Sequence, residues 1–188
     1  MAQAKTLTQD ELEQVLNYVS TRKYAERNRA LIAMSFFAGL RVAEIASLKM
    51  ADVVNIDGTI KAEIRLAAAQ TKGKHPRTVF VSTKLREILA EYLATRHVRN
   101  NDVAFFHTDN RLSFTPNGLC VWFHTLYRNI GIAGGSSHSG RKFFITSLAN
   151  KGIGVRILAS LAGHRSIAVT QRYIDVNDEQ KRNAVELI

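Results

Sequence analysis

The chain has 188 residues, 46% of them hydrophobic, enough for one domain with a sizeable core and inconsistent with a disordered tail. Lys and Arg outnumber Asp and Glu by 26 to 16, a formal charge of +10 that favours a polyanionic partner, with nucleic acid ahead of an acidic membrane surface. No apolar run approaches the roughly 20 residues that span a bilayer, no secretory segment is visible, and the one cysteine, Cys120, has no internal partner, which together suit a cytoplasmic protein.

In chain order, Thr8 with Glu11 three residues later predicts a capping box, and Leu12, Val15, Leu16 and Val19 continue with helical spacing. A second apolar segment, Leu31 to Ala38, breaks at Gly39, after which Val42 to Leu48 predicts another short helix. The stretch VVNIDGTIKAEIRLA then places two β-branched runs around Asp57-Gly58, a hairpin signal, and RTVFV at Arg77 to Val81 adds a third strand. The basic loop QTKGKHP joins these strands. From Thr83 the pattern is helical again, with Leu85, Ile88, Leu89 and Tyr92 at core spacing, and Thr115-Pro116 marks a cap and first position. The predicted fold class is mainly α with a small antiparallel β-sheet, an α+β domain without internal repeats or linkers.

Two arginines stand out by position. Arg41 is followed by Ile45 and Leu48, and Arg141 by Ile145 and Leu148, so each heads an apolar stripe at offsets that share a helix face. One such arginine is ordinarily a stem laid along the core with its head in water. Two in the same arrangement point to planar, permanently charged donors set for phosphate oxygens. Glu44, three residues after Arg41, is placed to orient it. His138 precedes Arg141 by three residues and shares its side of the helix if the helix begins near Ser137 or His138. In LAGHRSIAVTQRYI, His164 precedes Tyr173 by nine residues, with Arg165 and Arg172 beside them and Ile167 and Ile174 marking the apolar centre of the segment. As metal ligands, His138 and His164 lack a further His, Cys or carboxylate, and the arginines repel a divalent cation. Lys72 and Lys74 flank a glycine in the strand-connecting loop; for Lys74 the reading is a solvated residue or a phosphate-backbone contact.

Taken together and in order, GLRVAEIASL, TKGKHPR, HSGR, LAGH and TQRYI resemble the catalytic domain of the tyrosine recombinases, the phage integrase family. The resemblance implies that Tyr173 is the nucleophile, that Arg41 and Arg141 hold the scissile phosphate, and that His138 and His164 assist. It implies that Lys72 protonates the leaving 5′ oxygen and that Glu44 supports the site, with no metal, ATP or other cofactor. Cationic donors around the tyrosine would stabilise charge on the nonbridging oxygens of a pentavalent transition state. Lys74, Arg77, Lys142, Arg165 and Arg172 are expected to contact the DNA backbone; at Lys142 many relatives carry a histidine.

The implied function is site-specific DNA recombination or integration through a 3′-phosphotyrosine, acting on double-stranded DNA in the cytoplasm, at the nucleoid in a bacterial cell. The rivals are type IB topoisomerase-like relaxation and a DNA-binding regulator of the same fold. Residues 1–188 are expected to form a single catalytic domain, without the separate amino-terminal core-binding domain that many members carry. The carboxy terminus, with Asp178-Glu179 and then Ala184, Val185, Leu187 and Ile188, predicts a short helix with an apolar patch. The resemblance implies that it docks head-to-tail on a neighbour, giving a homo-tetramer on paired sites from a chain monomeric in free solution. Accessory DNA-bending proteins are further candidate partners.

Overall fold

The computed structural model describes residues 4–97, 101–108, 113–174, 181–182 and 185–186. Helix α1 (Gln9–Ser20) opens on the predicted capping box: the Glu11 amide donates to Thr8 Oγ1 at 3.2 Å, and the Thr8 amide donates to Glu11 Oε2 at 3.0 Å. Its buried stripe is Leu12, Val15 and Val19. Helix α2 (Ala25–Phe37) is buried from Ala30 to Phe36 with no polar face along that stretch, which makes it the central helix. Around it pack α1, α5 (Thr83–Ala94) and α7 (Ser139–Asn150). Two short helices, α3 (Val42–Ser47) and α4 (Met50–Val53), follow the break at Gly39.

The sheet is smaller than the sequence predicts. Among the described residues only β1 (Glu63–Leu66) and β2 (Arg77–Phe80) form a ladder, antiparallel, with Glu63 opposite Phe80 and Leu66 opposite Arg77. Around Asp57-Gly58 the backbone turns, but it closes with a single Val54–Ile60 bridge, and Val53 ends α4. Side-chain packing overrides β-propensity here: Val53 is fully buried in the core as the last residue of α4. The connection between β1 and β2 contains a short 3₁₀ turn, Ala68–Gln70, and then the basic loop.

Beyond the sheet, Ser82 caps α5 by accepting from the Leu85 amide at 3.3 Å. Thr115 caps α6 (Pro116–Ile130), with Pro116 at its first position. Helix α7 is followed by α8 (Val155–Ala162) and the five-residue α9 (Ile167–Gln171). None of the described helices is long and apolar enough to cross a membrane. Of the carboxy-terminal patch, Val185 is exposed, while Asp178, Glu179, Ala184, Leu187 and Ile188 lie outside the described residues.

Candidate active site

Glu44 is the electrostatic centre of the site. It lies in the first turn of α3 with no exposed surface, and all four acceptor positions of its carboxylate are used. Oε2 accepts from the Arg41 amide at 2.8 Å and from Arg77 Nη2 at 2.7 Å, and Oε1 accepts from Arg41 Nη1 at 3.0 Å and Arg77 Nε at 3.3 Å. Burial pushes the carboxyl up, but Arg77 and then Arg41 outweigh it and hold it below its ordinary range. The carboxylate therefore stays charged while orienting two guanidiniums. Arg41 is the N-cap of α3 and its side chain remains 23% exposed, which leaves donors facing outward.

Arg141 departs from the picture of a stem on the core with its head in water. It is only 5% exposed, and its guanidinium caps backbone carbonyls: Nη1 donates to Gly39 O at 2.6 Å and Nη2 donates to Ala162 O. Gly39 makes the first contact possible. Its φ of +62° suits glycine, and a Cβ there would lie 2.5 Å from Phe144 Cδ1 of α7. Burial, followed by the Arg41 charge, lowers the Arg141 guanidinium to about 9, still protonated at pH 7.

Helix α8 presents the second histidine. Gly163, at φ +63°, ends the helix; its amide donates to Ser160 O at 3.0 Å and the His164 amide donates to Ala159 O at 2.9 Å, a Schellman pair. His164 Nδ1 then meets the hydroxyl of fully buried Thr170 at 2.9 Å. Its ring stacks on Tyr173, with centroids 5.9 Å apart and planes at 22°. Burial, with Arg141, Arg41 and Arg77 adding repulsion, pushes the His164 imidazole down to about 4, so it is neutral at pH 7. Tyr173 follows α9 in a turn, half-buried, its amide on Thr170 O at 3.0 Å, and its phenol lies within electrostatic range of Arg141. Ile167 is 38% exposed and does not mark the buried centre of this segment; Thr170 does.

His138 is the N-cap of α7, so the helix begins where the shared side of His138 and Arg141 requires. Burial lowers it, and Arg141, Arg41 and Lys72 add to the effect, so the Lys72 ammonium is within electrostatic range of this imidazole. Lys72 itself is exposed in the loop before β2. Between this loop and the start of α9 lies a cavity of about 460 Å³ lined by Arg41, Lys72, Arg77, His164, Arg165 and Val169 among others. A larger hollow of about 670 Å³ beside Phe114 and Trp122 is lined by none of the candidate residues. The structure thus brings Arg41, Glu44, Lys72, His138, Arg141, His164 and Tyr173 to one side of the domain.

The expected backbone contacts divide. Lys74, Arg165 and Arg172 are exposed, and Arg165 lines the cavity. Lys142 donates from Nζ to Ala4 O at 3.1 Å, tying α7 to the amino-terminal segment. Arg77 has a side chain only 9% exposed and is bound to Glu44 and, through Nη1, to Leu161 O at 3.0 Å; its guanidinium is held inside the site by these partners, at the wall of the cavity. Its direction was legible, because Arg77, Val79 and Val81 alternate on the core-facing side. Thr170 gave no comparable signal.

The profile described as the phage integrase family matches residues 5–180. A tyrosine recombinase of Thermosipho africanus is 24% identical over 181 residues, covering 96% of this chain and 60% of its own length. Tyrosine recombinase XerA of Pyrococcus horikoshii is 26% identical over 185 residues, covering 97% of this chain and 60% of its own length, so the chain spans about three-fifths of these relatives. Among solved structures, an XerA recombinase matches with a TM-score of 0.77 at 24% identity, over 100% of this chain and 66% of that one. The XerH site-specific recombinase bound to palindromic difH substrate, a post-cleavage complex, matches with a TM-score of 0.73 at 24% identity, over 96% of this chain and 51% of that one. The catalytic domain of bacteriophage HP1 integrase matches at 0.70 and 18% identity, over 98% of this chain and 95% of that one. With a family profile spanning nearly its whole length and the ordered residues gathered at one site, this chain belongs to the phage integrase family.

Proposed function

We propose that this chain is the catalytic part of a site-specific DNA recombinase that cleaves and rejoins strands through a 3′-phosphotyrosine. The observation that carries the reading is the stack of Tyr173 on His164 within electrostatic range of buried Arg141, in a site where the Glu44 carboxylate faces several cations. In the proposed step Tyr173 Oη attacks phosphorus, the bond to the 5′ oxygen breaks, and Lys72 supplies the proton that oxygen takes. The phenolic proton leaves to a neighbouring base, for which neutral His164 is placed. Arg41 and Arg141 meet the charge that develops on the nonbridging oxygens. The reverse attack by a 5′ hydroxyl from another strand completes exchange and restores the phenol.

The basic composition and the likeness to a site-specific recombinase solved bound to its palindromic difH substrate support double-stranded DNA as the partner. Assembly as a tetramer on paired sites is part of the same proposal. The test is incubation with site DNA nicked near the cleavage position, followed by denaturing electrophoresis. Wild-type protein is expected to be trapped on DNA, and Tyr173→Phe is expected to bind DNA with little change and form no adduct. An adduct in the Tyr173→Phe variant overturns the assignment.

A further inference from the structure

Helix α8 ends in a way that its own backbone does not complete. Of its last four carbonyls, those of Ala159 and Ser160 are taken by the His164 and Gly163 amides. The remaining two are taken by arginines from elsewhere in the chain: Leu161 O accepts from Arg77 and Ala162 O accepts from Arg141. Two cations thus stand at the negative end of the helix, on carbonyls three and two residues before His164. The Arg77 side chain also lies against Gly163, where an added Cβ would come 2.6 Å from Arg77 Cδ. Glycine is required there both for φ and for this contact.

The other end of the Arg77 connection is the lysine loop. Arg77 opens β2, paired with Leu66, and so closes the base of the loop that carries Lys72. Within that loop the Lys74 amide donates to Thr71 O at 3.1 Å and the His75 amide donates to Thr71 Oγ1 at 3.1 Å, so the turn is fixed internally; it is joined to the domain on one side by Gln70, whose Nε2 donates to Ser47 O at 3.2 Å and Asp52 Oδ2 at 2.9 Å, and on the other by Arg77. Arg77 also binds Glu44, which holds Arg41. Arg77 therefore opens the strand after Lys72, while its guanidinium binds the carboxylate behind Arg41 and the helix end before His164.

We propose that Arg77 is a positioning residue that fixes the Lys72 loop and His164 relative to Arg41 as one unit, and that it does not contact DNA phosphate. The kinetic part rests on the recombinase reading above, and the test separates the two. The variant is Arg77→Lys, which keeps a charge beside Glu44 but cannot bridge Glu44 and Leu161 O with a planar fork. Thermal unfolding and circular dichroism establish that it folds. Hydrogen exchange is then followed in segments 71–76 and 159–165, with α6 as the internal reference. Both segments are expected to exchange about tenfold faster while α6 is unchanged, since the lost contacts are local.

In the kinetic arm, the single-turnover rate of covalent-complex formation at saturating protein is expected to fall about 10- to 100-fold, with DNA affinity within about threefold of wild type. Wild-type exchange in either segment overturns the inference, as does a cleavage rate within about twofold of wild type or a defect confined to affinity and its salt dependence. If wild-type protein forms no Tyr173 adduct, the recombinase reading fails and the exchange arm alone decides the role of Arg77. Should Arg77→Lys not fold, the Glu44→Gln/Arg77→Met pair removes both charges together and is read by exchange in segment 159–165.

Discussion

Lys72 and Lys74 occupy one turn, two residues apart, yet their surroundings differ. Lys72 is within electrostatic range of His138 and lines the cavity beside Arg41 and His164. Lys74 adopts φ +51°, a left-handed conformation that lets its amide close the turn onto Thr71, and its side chain is exposed. If Lys72 is the general acid, its loss matters only while the leaving group needs a proton. Lys72→Ala is therefore expected to slow cleavage of an ordinary phosphodiester by about 10²–10⁴-fold and to recover most of that on a substrate with a bridging 5′ sulfur. Arg141→Ala should stay impaired on both, because in the proposed step it meets oxygens that remain on phosphorus. Lys74→Ala should show only a small affinity loss on either. Rescue of Lys74→Ala without Lys72→Ala would exchange their roles, and rescue of neither would move the acid elsewhere, His138 being next. The residue types of this site were legible in the sequence because their chemistry is carried by identity and order. The role of Arg77 was not, since an arginine in a basic loop reads as a phosphate contact until its partners Glu44 and Leu161 O are seen.

At the scale of elements, the helices were legible where a cap met a period. Thr8 with Glu11, and Thr115 with Pro116, mark starts that the structure reproduces. The three-stranded sheet was not, because a strand is stable only with a partner and β-branched residues fit a helix end as well when the core takes them in, as at Val53. The break at Gly39 was visible, but its purpose depends on α7, more than a hundred residues away in the chain. Gly39 turns its carbonyl to Arg141 and passes under Phe144, so it joins the start of α3 to α7. Gly39→Ala is expected to cost roughly 2–5 kcal/mol, from left-handed strain plus overpacking. Denaturant unfolding measures the loss, and a cost below about 0.5 kcal/mol would mean that Phe144 moves aside freely. In the folded fraction, covalent-complex formation should fall further than stability alone explains, since the Arg141 guanidinium loses its seat.

For the whole molecule, gathering this charge has a consequence for stability. Arg41, Arg77 and Arg141 surround His164, while Glu44 is the carboxylate that faces them among the described residues. The folded imidazole is held at about 4, below its ordinary value in the unfolded chain near 6.5. Between those two values the unfolded chain binds a proton that the folded chain refuses, so stability rises with pH through this window. The contribution is complete above pH about 6.5 and is lost as pH falls toward 4. His138, lowered by burial and by Arg141, Arg41 and Lys72, acts in the same direction. The melting temperature of the free protein is thus expected to drop on acidification from pH 7 to about pH 5, and His164→Gln should make that drop shallower without abolishing it. Inorganic sulfate, compared with chloride at equal ionic strength, should do the same for the wild type, because an anion among the arginines offsets the repulsion that adds to burial in keeping His164 neutral. Identical pH profiles for wild type and His164→Gln would show that the imidazole is not suppressed by its neighbours, and with it would go the reason for placing a neutral base beside Tyr173.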